Sequence, residues 1–206
     1  ADGKKMMQRP ITKIRRSQKK QRIPNEVFDV KVLPDGKGNI IIAWSDSRDG
    51  NLEIYVARVN KVLTKNVVDK RLSTTPGAST EAHLTIVAGH VYVAWSEGAA
   101  TAGADVHLAQ LLLTSLKVTQ PAKSMYRSQA HSRTPQMTPA KDGVVLWWVE
   151  EETDGKPAAV RMVTVDGSAS ATASRAVVSA AERPSTRSPA ASRCSTNNLA
   201  RARPWT

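Results

Sequence analysis

Apolar positions in this chain fall into short unbroken runs separated by clusters of turn-forming residues. Ile40-Ile41-Ile42-Ala43-Trp44 leads into Ser45-Asp46, and Val91-Tyr92-Val93-Ala94-Trp95 leads into Ser96-Glu97. Val144-Val145-Leu146-Trp147-Trp148 leads more loosely into Val149-Glu150. Runs of this length, rich in β-branched and aromatic residues, predict strands covered on both faces. Each is entered through a hairpin signal: Pro34-Asp35-Gly36-Lys37-Gly38, Ala88-Gly89 and Lys141-Asp142-Gly143. Before each turn lies a shorter candidate strand, at 26–32, 83–87 and 136–139. After each run come a polar or small-residue loop, a third strand (52–59, 105–112, 158–165) and a fourth (66–73, 116–124, 173–179). The stretch Leu52 to Val59 alternates cleanly, which predicts a strand with one polar face.

The order strand–turn–Trp strand–loop–strand–strand repeats at a nearly fixed period. Trp44 to Trp95 is 51 residues and Trp95 to Trp148 is 53. A period in that range means units arranged side by side, and four short antiparallel strands per unit make a β-propeller blade. The predicted fold is therefore all-β: three four-stranded antiparallel repeats of about 52 residues, forming an incomplete propeller, since at least four blades close a ring. The divisions are 1–22, a basic tail or the remnant of a preceding blade; 25–79, 80–133 and 134–182, blades one to three; and 183–206, an irregular, protease-sensitive tail. A β-sandwich also shows many short strands but does not place a Trp at one point of every fourth strand. No block carries sustained 3.6-residue periodicity, which excludes a helical solenoid.

Charge changes the picture less than its total suggests. The net charge is +12, which invites a nucleic-acid reading. Residues 1–22 carry a net +8, residues 183–206 a net +5, and the 160 residues between them a net −1. The repeats are neutral, so nucleic acid is not an expected partner: its binders carry positive charge on the folded surface, interleaved with stacking aromatics. No run approaches the roughly 18 apolar residues of a membrane helix. The single cysteine, Cys194, cannot form an internal disulfide. Exposed strand edges on an open arc predict a tendency to self-associate.

Candidate chemistry concentrates two residues after each Trp. Asp46, Glu97 and Glu150 share a strand face with Trp44, Trp95 and Trp148. One reading makes the acids a ring on one rim that binds a ligand; the other has each satisfied by the amides of its own loop. Arg48, Asp49, Asn51 and Glu53 form the most polar single cluster. Arg48 either clamps a ligand carboxylate or pairs with Asp46 or Glu53 across the turn. The three Trp are read as structural core between blades. The acid run Glu150-Glu151-Glu152 with Asp154 is the segment where calcium would bind, though it lacks a ligand spacing. The four histidines show no metal pattern, so neither a metal nor another cofactor is expected.

The segment Ala43-Trp44-Ser45-Asp46-Ser47-Arg48-Asp49-Gly50-Asn51-Leu52-Glu53-Ile54-Tyr55 resembles the W-x-D-x-R-x-G-N-x-D-I-Y repeat of bacterial cell-surface β-propellers, and more distantly the sialidase-like propeller superfamily. The resemblance covers about 25–190 and implies six or seven blades in a secreted, periplasmic or cell-surface setting. The sialidase Asp-box, S-x-D-x-G-x-T-W, does not occur. The expected function is thus a non-catalytic module presenting loops for protein or glycan recognition, with Asp46, Arg48, Asp49, Asn51, Glu97 and Glu150 as candidate ligand-binding residues. The alternative is a fragment of a sialidase-like glycoside hydrolase.

Overall fold

The computed structural model describes residues 26–60, 69–98, 103–127, 129–151, 158–172 and 175–179. The expectations for 1–22 and 183–206 lie outside the described residues. The strands are β1 (Val27–Pro34), β2 (Asn39–Asp46), β3 (Glu53–Asn60), β4 (Asp69–Arg71), β5 (Ser79–Val87), β6 (His90–Gly98), β7 (Ala104–Leu112), β8 (Val118–Tyr126), β9 (Ser132–Ala140), β10 (Gly143–Glu150), β11 (Ala159–Asp166) and β12 (Arg175–Ser179). Consecutive fours form three antiparallel meanders, β1–β4, β5–β8 and β9–β12, which are blades 1, 2 and 3 of a β-propeller. No helix occurs among the described residues. The first strands lie side by side, β1 next to β5 and β5 next to β9, and so form the inner wall.

The turns follow from local chemistry. Asp35 Oδ1 accepts the amides of Lys37 at 2.7 Å and Asn39 at 2.9 Å, closing the first hairpin. Desolvation alone would raise the Asp35 carboxyl, but the donors from Asn39, Lys37 and Arg58 outweigh it and hold the pKa at about 2. Blade 2 turns through Ala88 (φ 47°) and Gly89 (φ 78°), the paired left-handed conformation that matches strand twist. Gly143 opens β10 because a Cβ there would stand 2.0 Å from the Val165 carbonyl oxygen.

The cores lie between blades. Ile41, Ala43, Ile54 and Val56 of blade 1 pack with Val91, Val93 and Trp95 of blade 2. Tyr92, Ala94 and Leu108 on the other face of blade 2 pack with Leu146, Trp148 and Val163 of blade 3. The second strands of blades 1 and 2 therefore use both faces, which explains their unbroken apolar runs, whereas β10 buries Val144, Leu146 and Trp148 and leaves Val149 exposed on its other face. The polar face predicted for the third strand of blade 1 is corrected by the structure: Glu53 through Ala57 are all buried. Ile54 and Val56 face blade 2, while Tyr55, Ala57 and Val59 pack with Ile42 and Trp44 on the opposite face. Glu53 and Tyr55 look polar in sequence, yet Arg71 and Ser73 satisfy the carboxylate and Asp49 accepts the phenol. Partnered in this way, both are fit for burial.

Candidate functional site

The three tryptophans are 2%, 0% and 0% exposed in order, each on the face turned toward the preceding blade position. Each carries a carboxylate two residues on, at the end of the second strand. In blade 1, the Trp44 indole donates to Asp46 Oδ2 at 3.2 Å. The Arg48 amide donates to Oδ1 at 2.9 Å and its Nε to Oδ2 at 2.8 Å. The remaining Arg48 nitrogens reach Asp46 and Asp69, and the guanidinium stands 4.2 Å from the Tyr55 ring centroid. Burial pushes the Asp46 carboxyl up, but Arg48 outweighs it and leaves the group below the usual carboxylate range.

In blade 2, Glu97 Oε2 accepts the Trp95 indole at 2.7 Å and the Ser79 hydroxyl at 2.8 Å, and Oε1 accepts the Thr75 hydroxyl. His107 takes the position beside the Trp, edge-on at 6.0 Å between centroids. In blade 3, Glu150 binds Arg161 Nε instead. The Trp148 indole nitrogen and the Ser132 hydroxyl are both buried there without a hydrogen-bond partner among the described residues.

The polar cluster of the first loop is bound into its own blade. Asp49 accepts the Tyr55 hydroxyl at 2.6 Å and pairs with Arg71 at 3.4 Å. Burial, then the Asp49 carboxylate, push the Tyr55 hydroxyl above its ordinary range. The Asn51 side-chain amide donates to the Thr75 and Gly77 carbonyls, fastening the loop between β4 and β5. Arg48 pairs with Asp46 and Asp69, while Glu53 takes Arg71. All six candidate ligand-binding residues are thus brought to the rim where second strands end, each with at least one intramolecular partner.

A second set of residues was missed in the sequence. Opposite each Trp, the first strand bulges: two residues face one between Phe28 and Lys31, between Thr80 and His83, and around Trp147/Val149 in blade 3. The bulge begins in a left-handed conformation at Asp29 (φ 55°), Glu81 (φ 58°) and Thr134 (φ 50°). Non-glycine residues rarely adopt it, and a β-branched Thr there is strained. The blades are joined through these points. The Glu81 amide donates to Asp29 Oδ2 at 2.8 Å, and the Thr134 amide donates to Glu81 Oε2 at 2.5 Å. Asp29 Oδ1 and Glu81 Oε1 have no partner among the described residues. The signal was available: Asp29, Glu81 and Thr134 are 52 and 53 apart, the same period as the Trp.

One further inter-blade bond is acid-sensitive. His83 Nδ1 accepts the Met137 amide at 3.2 Å, which requires a neutral ring. Burial, then Lys31, lowers its pKa, and burial likewise lowers that of His107 against the opposing pull of Glu97 and Asp105. A depressed histidine pKa gives stability that is complete above the unfolded value of about 6.5 and lost as pH falls through the lower folded value. Melting temperature is expected to fall between pH 7 and pH 5, and to fall less in His83→Gln; an equal fall in the variant would remove His83 from the explanation.

No group of three or more His, Cys, Asp or Glu suited to a metal ion occurs among the described residues, and no helix among them is long and apolar enough to cross a membrane. Neither protein-family models nor curated proteins yield a match to this chain. Solved structures do. The endo-1,4-beta-xylanase of Bacteroides thetaiotaomicron is 14% identical with a TM-score of 0.52, over 71% of this chain and 57% of that one. The endo-arabinase of the same organism is 14% identical with a TM-score of 0.50, over 68% and 56%. The catalytic domain of the Coprinopsis cinerea GH62 alpha-L-arabinofuranosidase is 9% identical with a TM-score of 0.50, over 79% and 54%. At this identity the likeness is one of fold alone, and it agrees with an incomplete β-propeller. None of these three is a sialidase, and the chain spans little more than half the length of each.

Proposed function

We propose that this chain is part of a glycoside-hydrolase-like propeller that engages glycan at the inner rim through Asp29 and Glu81. The observation carrying this reading is the repeated left-handed bulge, which holds a carboxylate at the same point of two neighbouring inner strands. In each, one oxygen is fixed by the next blade's amide and the other has no partner among the described residues. Backbone strain repeated at one site, and preserved by surrounding bonds, is a mark of functional positions. Glycoside hydrolysis needs two positioned carboxyl groups, one to protonate the leaving oxygen and one to act on the anomeric carbon or its water. The fold neighbours that act on xylan- or arabinan-type substrates supply the substrate class to test first. An extracytoplasmic setting accords with such polymeric substrates.

The non-catalytic reading keeps one point in its favour: the third inner bulge carries Thr134, which has no carboxyl group. The two readings separate cleanly. Xylo- and arabino-oligosaccharides should bind the chain in calorimetry, and Asp29→Asn and Glu81→Gln should weaken binding. Release of nitrophenol from aryl xylosides or arabinofuranosides, lost in both variants, would establish hydrolysis. Binding without release would leave a glycan-binding module, and unchanged binding in both variants would discard the inner-rim site.

A further inference from the structure

Internal repetition turns the three Trp–acid pairs into controls for one another. In blade 2, a single carboxylate, Glu97, serves the Trp95 indole and the Ser79 hydroxyl together. Blade 3 has the same three groups at matching positions: Trp148, Glu150 and Ser132, the last paired with Glu150 across the β9–β10 ladder as Ser79 is with Glu97 across β5–β6. Here, however, Glu150 is drawn to Arg161, and both donors that a carboxylate would cap remain buried and, among the described residues, unpaired. Leaving a buried donor unsatisfied is costly.

Blade 1 shows what resolves such a competition. Its guanidinium, Arg48, has two carboxylates, so Asp46 keeps the Trp44 indole while Asp69 holds the far side of the arginine. Arg161 has one carboxylate among the described residues, Glu150, and its side chain is 24% exposed beside the Tyr126 ring, 4.6 Å from the centroid. Among the described residues, a second carboxylate on the guanidinium is the element that separates blade 1 from blade 3.

We infer that Arg161 is a binding site for a ligand carboxylate beside Tyr126, where blades 2 and 3 meet, held shut by Glu150. When a ligand carboxylate takes the guanidinium, Glu150 turns into the cradle of Trp148 Nε1 and Ser132 Oγ, the position Glu97 occupies in blade 2. All three donors are then satisfied, so the arrangement favours ligand entry although Glu150 starts in place. The carboxylate belongs either to an acidic sugar or to a simple organic acid. This site uses neither Asp29 nor Glu81 and stands apart from the reading of the inner rim.

The test is titration of the folded chain with sodium glucuronate, sodium acetate and glucose at constant ionic strength, followed by the indole N–H signals in proton–nitrogen NMR, with Trp148 assigned through Trp148→Phe. Both carboxylates should shift the Trp148 signal downfield and saturably, while Trp44 and Trp95 stay still and glucose does nothing. Tighter binding of glucuronate than acetate would assign an acidic sugar; equal binding would assign the simple carboxylate. Arg161→Gln should weaken the response by about 30-fold or more, the scale for truncating one partner of a hydrogen-bonded charge pair. Glu150→Gln, which loosens the hold on Arg161, should strengthen ligand binding. Unmoved Trp44 and Trp95 signals in each variant certify its fold. A Trp148 signal that ignores both carboxylates, or that responds equally in Arg161→Gln or to glucose, would overturn the proposal.

Discussion

Replacing Trp95 with alanine is expected to destabilise the fold by about 3–5 kcal/mol, the range for truncating a large aromatic in a packed core. Trp95 is fully buried between blades 1 and 2, and its indole is one of the donors hydrogen-bonded to the buried Glu97. Trp95→Ala therefore opens a cavity in the interface and removes a hydrogen bond from a carboxylate that is 6% exposed. Conservative replacements separate the two contributions. Trp95→Phe loses volume and the bond to Glu97, whereas Trp148→Phe loses volume and an N–H that has no acceptor among the described residues. Urea denaturation should place Trp95→Phe below Trp148→Phe by about 1.5–3 kcal/mol, a charge-assisted hydrogen bond's worth. Equal losses would mean that the Trp95–Glu97 bond carries no net stability.

This contrast also marks how far the sequence could be read. The period of the tryptophans, the turn residues between apolar runs and the doubly apolar second strands were enough to give an all-β chain of four-stranded repeats. Those signals survive because each reports a local requirement: a left-handed turn at Ala88-Gly89, or a strand such as Val91–Trp95 with packing on both sides. The third strand of blade 1 departs from its pattern because periodicity weighs residue type, and Glu53 becomes a core residue only through Arg71 on β4 and Ser73 after it, as Tyr55 does through Asp49 in the preceding loop. That information is non-local.

The rim chemistry was partly legible for the same reason. A Trp and an acid two positions apart must share a face, and Trp44–Asp46 and Trp95–Glu97 do bond. The side chain that completes each set comes from elsewhere in the chain: the Asp69 carboxylate for blade 1, the Thr75 and Ser79 hydroxyls for blade 2, the Arg161 guanidinium for blade 3. The inner bulges were harder still. Asp29 sits in an alternating strand pattern that a bulge silently shifts, so its conformation is invisible without the pairing register.

Arg48→Met is expected to cost about 3–5 kcal/mol at neutral pH, the penalty for removing one member of a buried ion pair and stranding the other. The side chains of Arg48 and Asp46 are 9% and 2% exposed, so water reaches neither well enough to screen the loss. Methionine keeps much of the packing over Tyr55 and Trp44, which confines the change to charge and hydrogen bonding. The loss should shrink as pH is lowered. The folded-state pKa of Asp46 lies below its ordinary value because Arg48 is present; in the wild type this stabilisation is complete above the unfolded value of about 3.9 and fades as pH falls through the folded value. In Arg48→Met the depressing partner is gone, burial raises the carboxyl, and protonating Asp46 relieves the variant. The two proteins should therefore converge in stability toward pH 3, read as urea midpoints across the pH series. The double variant Arg48→Met/Asp46→Asn should recover part of the neutral-pH loss, because it removes the stranded charge while an amide can still accept from the Trp44 indole. A gap between wild type and Arg48→Met that stays constant from pH 7 to pH 3 would show that the guanidinium acts through packing on the aromatic pair and not through the carboxylate.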